Sequence, residues 1–196
     1  MTAALDDLPV LKEGEDKIDM FTMASFHEVA HCMVAEQSGL RTSKLRIRRR
    51  FLSDCVDGGT YLDLENTPGV YVDPDDPRMY HVEDEHVHAF LLCCVAGWRG
   101  AAAWFREVQG TEEAICGTSP DYGCSCDFKA FNAVSRGFGL SKSRAAAEAD
   151  ALIRMHWGRI RAASAVLRAR KRINASQVVN ARDRSRAAIK PKPDAQ

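Results

Sequence analysis

The chain has no run of about 18 or more consecutive apolar residues, so its composition offers no obvious membrane span. Its opening stretch, MTAALDDLPVLKEGEDK, is acidic where a secretory signal would be basic, and it lacks an apolar segment long enough for a signal core. Together these two lacks make a cytoplasmic location the expectation. There is no Gly-x-x-x-x-Gly-Lys-[Ser/Thr] phosphate loop, which removes ATP-driven work from the activities expected of this chain, and there is no internal repeat. Cysteine is present, but Cys32, Cys55, Cys93, Cys94, Cys116, Cys124 and Cys126 are odd in number and irregularly spaced. A disulfide framework is therefore not expected, and most of these thiols should be free.

The 196 residues are enough for about one domain with a substantial core. Zero net charge hides an asymmetry: residues 1–128 hold 11 Lys+Arg against 23 Asp+Glu, and residues 129–196 hold 16 against 4, giving −12 and +12. Docking of the acidic part on the basic part, or plain solvated helix faces, explains this better than nucleic-acid binding. Aromatic residues are sparse in the basic part, so the stacking platform of a single-strand binder is missing.

The pattern along the chain predicts a mainly helical α+β domain over 19–186, an N-terminal arm over 1–18 and a flexible tail over 187–196. Apolar residues at helical spacing predict a helix over 20–38, ended by Gly39. Alternating KLRIRR (44–49) and GGTYLDLE (58–65) read as two short antiparallel strands of a two- or three-stranded sheet. Residues 66–77 and 110–124 read as loops. A core helix is expected over 82–108, a short one in DFKAFNAVSRGFG, and a long one over 141–172. Small residues at 96, 97 and 100–103 would let the core helix approach a neighbour closely. Ser176 is expected to cap a last helix reaching about Arg186.

Within the first helix lies HEVAH, residues 27–31. Histidines at i and i+4 project from one helix face about one turn apart, so His27 and His31 can reach one tetrahedral Zn²⁺. Glu28 can then take a proton from water that the metal acidifies and return it to a leaving amine. Shuffling 6 histidines and 11 glutamates in this length gives the pattern in roughly one chain in a hundred, which makes coincidence a weak explanation. Two histidines need a third protein ligand, with the fourth position left open. His81, His86, His88, Glu112, Glu113, Asp121, Cys124, Cys126 and Asp127 all qualify by type, and spacing does not choose among them.

Three blocks in order, TMASFHEVAH, AGWRGAAAWF and GCSCDF, carry a resemblance across most of the chain, from about residue 22 to 180. They resemble the peptidase domain of the FtsH-type membrane-anchored AAA+ zinc proteases. There a Thr-x-x-His-Glu-x-x-His helix precedes short strands, a core helix with Gly-Gly-Arg-x-Ala, and Gly-Ala-x-x-Asp-[Leu/Phe]. The resemblance implies a zincin-like fold in which Asp127 is the third zinc ligand, Glu28 the general base and GGTYLDLE the edge strand beside the cleft. A carboxylate at a helix start, as Asp127 would be, is favoured by the helix dipole. The chain departs from the family at Ala30, where Gly is usual, at Trp98, where a small Gly is usual, and in lacking the ATPase and membrane segments. The resemblance thus implies an ATP-independent zinc endopeptidase acting on flexible or unfolded polypeptide, with a separate ATPase or regulatory partner left open. A zinc-bearing but inactive interaction protein is the alternative, and a nucleic-acid binder using the basic C-terminal half is the third. Natural substrate and oligomeric state have no signal in the residues.

Overall fold

Asp19 starts the first helix by accepting the backbone N–H groups of Phe21 and Thr22 at 3.0 and 3.2 Å, while the Thr22 hydroxyl donates to it at 2.7 Å. Those bonds satisfy donors that a first helical turn leaves open. The computed structural model describes residues 19–49, 56–74, 80–109 and 124–181. The expected arm over 1–18, the tail over 187–196 and most of the loop over 110–124 lie outside them.

Helix α1, Met20–Gln37, is apolar around most of its circumference: Val29, Ala30, Cys32, Met33, Val34 and Ala35 are fully buried. Each large side chain among them contributes roughly 1.5–3 kcal/mol. A helix buried on all sides must be central, and α1 packs on α2 (Asp84–Gln109) and on α4 (Lys142–Arg170), which also pack on each other. Phe26 joins all three, its ring 5.9 Å from that of Trp104 and 5.3 Å from that of Trp157. Gly39, at φ +96°, releases the chain from α1.

Strands β1 (Thr42–Arg49) and β2 (Val56–Leu62) pair antiparallel beside α1, as alternation predicted, and α1 touches both. The sheet has the third strand that the expectation allowed, and three strands stand at positions the sequence pattern did not locate. β3 (Val70–Val72) and β4 (Tyr80–Val82) pair as a separate two-stranded ribbon, so 66–77 is not wholly a loop. β5 (Arg172–Asn174) pairs with β1, giving the sheet order β2-β1-β5 and leaving β2 at the edge. Leu45, Ile47 and Ile173 turn inward and are buried. Lys171 adopts φ 63° at the end of α4, which turns the chain into β5.

Helix α3, Cys124–Val134, precedes α4, and α5, Ala175–Val179, follows β5. Ser176 is not the cap expected of it: Asn174 caps α5 in a reciprocal box with Gln177, because β5 delivers the chain two residues earlier. Helix α2 has the length and apolarity of a membrane span, yet 72% of its most apolar stretch is buried within this fold. The architecture is mainly helical with a small antiparallel sheet.

Candidate metal centre

Four elements meet around HEVAH. Helix α1 supplies His27, Glu28 and His31, all nine-tenths or more buried in an otherwise apolar core. Buried polar groups of this kind are costly unless something satisfies them. Helix α3 brings Asp127 in its first turn, with Oδ2 at 3.3 Å from Nε2 of both His27 and His31. The two Nε2 atoms lie 3.0 Å apart. Despite those distances Asp127 Oδ2 is buried without a hydrogen bond. The three atoms therefore face a common point.

A tetrahedral zinc with bonds of about 2.0–2.1 Å separates its ligand atoms by about 3.3 Å, so the observed spacings fit the edges of such a tetrahedron. The ligand atoms lie within 4.8 Å of one another, and they are the one such group of three or more His, Cys, Asp or Glu side chains among the described residues. The donor set, two imidazoles and a carboxylate, suits a divalent transition metal and leaves a corner free.

His31 is oriented by α2. Its Nδ1 lies 2.7 Å from the Cys93 carbonyl oxygen, which accepts the ring N–H and leaves Nε2 facing the centre. Gly97, one turn further along α2, supplies clearance: a Cβ there would overlap His31 Nε2 and lie 2.5 Å from His27 Nε2. Trp98 packs its ring edge-on to Phe128, centroids 5.9 Å apart, and so braces α3 next to Asp127. Arg99 then fixes α2 to α4 through two hydrogen bonds to Asp150, at 2.7 and 2.8 Å. Ala30 fits because Gly100 faces it across the α1–α2 crossing.

Strand β2 holds Glu28 from the other side. Its Oε1 is 4.0 Å from His27 Nε2. Thr60 Oγ1 lies 2.9 Å from Glu28 Oε2 and 2.8 Å from the Glu28 carbonyl oxygen. A Cβ at Gly58 would overlap Glu28 Oε1, so the bare strand backbone forms a wall against the carboxyl. Residues 58 and 60 share the inward face of β2 and clamp one side chain.

Electrostatics follow from this crowding. Burial raises the Glu28 pKa, and the nearby histidines only partly offset it. Burial alone would lower the pKa of His31, but the charge of Asp127 outweighs it and holds the imidazole well above its usual range. Asp127 is likewise pulled well below the usual carboxylate range, burial being outweighed by the two histidines.

Among the described residues, the others proposed by type as third ligand do not join the group. His81 pairs with Asp73 at 3.2 Å, His86 with Glu85 at 3.4 Å, and His88 with Glu148 at 2.8 Å, while Cys126 is exposed. Glu112, Glu113, Asp121 and the side chain of Cys124 fall outside the described residues. Sequence reasoning missed Thr60 and the Cys93 carbonyl: a threonine in a strand and a backbone oxygen in a helix give no chemical signature. No protein-family model matches the chain, and no curated protein shows significant similarity to it.

Proposed function

We propose that the protein is a zinc-dependent endopeptidase of zincin-like architecture, related to the FtsH-type peptidase domain, that cleaves flexible or unfolded polypeptide. The supporting observation is the meeting of His27, His31 and Asp127 at tetrahedral spacing, with the Glu28 carboxyl 4.0 Å from His27 Nε2. His27, His31 and Asp127 would hold the zinc. When bound, it acidifies water and polarises a carbonyl. Glu28 accepts the proton from the attacking water and later donates it to the leaving amine, and its raised pKa suits both tasks. Thr60 and Gly58 keep that carboxyl aimed while the exchange occurs. The edge strand β2 offers backbone groups to an extended chain, a mode of binding that reads little of the side-chain sequence.

The test is zinc-loaded protein assayed on casein beside Glu28→Gln. One zinc per chain in both, with activity lost by about a hundredfold or more in the variant, is the expected outcome. Equal cleavage by both proteins, or one bound zinc without any cleavage, overturns the reading. The second result would favour a zinc-bearing interaction protein.

A further inference from the structure

The outward face of the three-stranded sheet has one row that is electrostatically unresolved. Arg46 lies directly opposite Arg172 on β5 and directly opposite Gly59 on β2. All three point to the same, exposed side, because paired residues share a face. Like charges opposite each other in a ladder are destabilising. Among the described residues neither arginine makes an ion pair. The flanking rows are balanced: Arg48 faces Asp57 with Nε 4.0 Å from Oδ2, and Lys44 places Nζ 4.9 Å from the Tyr61 ring centroid. In the middle row glycine stands between the arginines and the edge of β2 and adds no side chain of its own, while the Tyr61 ring borders it, 3.4 Å from where a Cβ at Gly59 would lie.

We propose that this row selects an acidic side chain in the polypeptide laid along β2, with Arg46 as the specificity-determining residue. The inference rests on the peptidase reading above and adds a substrate class to it. In an added strand, residues opposite Gly58 and Thr60 face Glu28, and the residue between them faces outward beyond Gly59. Two strand spacings of about 4.8 Å put its Cα about 10 Å from that of Arg46, a gap that a glutamate and an extended arginine span together. A carboxylate there reaches Arg46 across the glycine and relieves its repulsion with Arg172. The selected acid is therefore adjacent in sequence to the residues that face the candidate metal centre.

The experiment uses zinc-loaded Glu28→Gln protein, to prevent turnover, and two fluorescein-labelled peptides of extended sequence that differ in one central residue, Glu or Gln. Anisotropy at low salt should show the Glu peptide binding about fivefold more tightly, with the difference shrinking as salt rises. Arg46→Gln should abolish the preference, and Arg48→Gln should keep it. Gly59→Thr should also abolish it by covering Arg46. The backbone at Gly59 is not left-handed, and the nearest atom to a Cβ there is Tyr61 Cε2 at 3.4 Å, an ordinary contact; a urea midpoint close to that of the parent protein checks that the variant is folded. Equal affinity for both peptides, or a preference that survives Arg46→Gln, overturns the proposal. So does an Arg46-dependent preference for a single-stranded oligonucleotide over the Glu peptide. Cleavage of casein by the unmodified protein without any acidic preference removes this inference and leaves the peptidase reading intact. Arg46-dependent binding of the Glu peptide by a protein that cleaves nothing removes only the peptidase reading.

Discussion

His31 receives a backbone carbonyl at one ring nitrogen and faces an imidazole and a carboxylate at the other, so its protonation is tied to whatever occupies the centre. With its pKa raised above the unfolded value of about 6.5, the protonated ring stabilises the metal-free fold fully below that pH. The contribution is lost as pH rises through the folded pKa. Asp127, with a lowered pKa, contributes above about pH 3.9 and loses its share as pH falls through its folded value. Zinc must displace the proton, so calorimetry at pH 7 in buffers of different ionisation heat should find about one proton released per zinc. Apparent affinity should weaken as pH falls; proton-neutral binding would contradict this. Thr60 gives a second prediction. Thr60→Val removes the hydroxyl beside the Glu28 carboxyl, a hydrogen bond to a charged group worth about 1.5–3 kcal/mol, and kcat should fall about ten- to a hundredfold with KM and zinc content little changed. Thr60→Ser should restore most of the rate. Gly97→Ala should prevent zinc uptake, because the added methyl takes the space in front of Nε2 of both His27 and His31. Normal zinc content in that variant would refute the clearance role.

Helices carry the site, and their contacts set its rigidity. Gly100 marks the closest approach of α1 and α2: a Cβ there would overlap that of Ala30 and lie 2.9 Å from the Phe26 carbonyl oxygen. Gly100→Ala should therefore destabilise the fold by about 1–3 kcal/mol, read as a lowered midpoint in urea. Helix α1, the β1–β2 pair, α2 and α4 were legible because each is long enough to express a period of 3.6 or 2, and HEVAH announces two candidate ligands through spacing within one helix. The strands at 70–72, 80–82 and 172–174 were not, since three residues cannot display an alternation and their pairing is decided by tertiary neighbours. Asp127 lies far from the histidines along the chain, and residue type alone left it among nine candidates. Only the resemblance singled it out. The cap at Asn174 was misread because Ser176 has the right chemistry, and only the strand pairing shows where the helix begins.

For the whole molecule, the opposed charges of the two halves meet in part within the fold: Arg168 pairs with Asp19, and Arg161 lies 3.1 Å from Glu107. Arg172, from the basic half, instead lies on the outward sheet face opposite Arg46 of the acidic half. Because α1, α2, α3 and β2 all contribute to the centre, a bound metal should stiffen the domain as a unit. Zinc at a thousand times its dissociation constant should add about 4 kcal/mol of stability, visible as a higher Tm that Asp127→Asn largely loses. The most direct measurement is a crystal structure of zinc-loaded protein with anomalous scattering recorded at the zinc edge. The expected result is one zinc peak at about 2.0–2.2 Å from His27 Nε2, His31 Nε2 and a carboxylate oxygen of Asp127, with an open fourth position toward Glu28. No bound zinc, or a zinc held without Asp127, would contradict it.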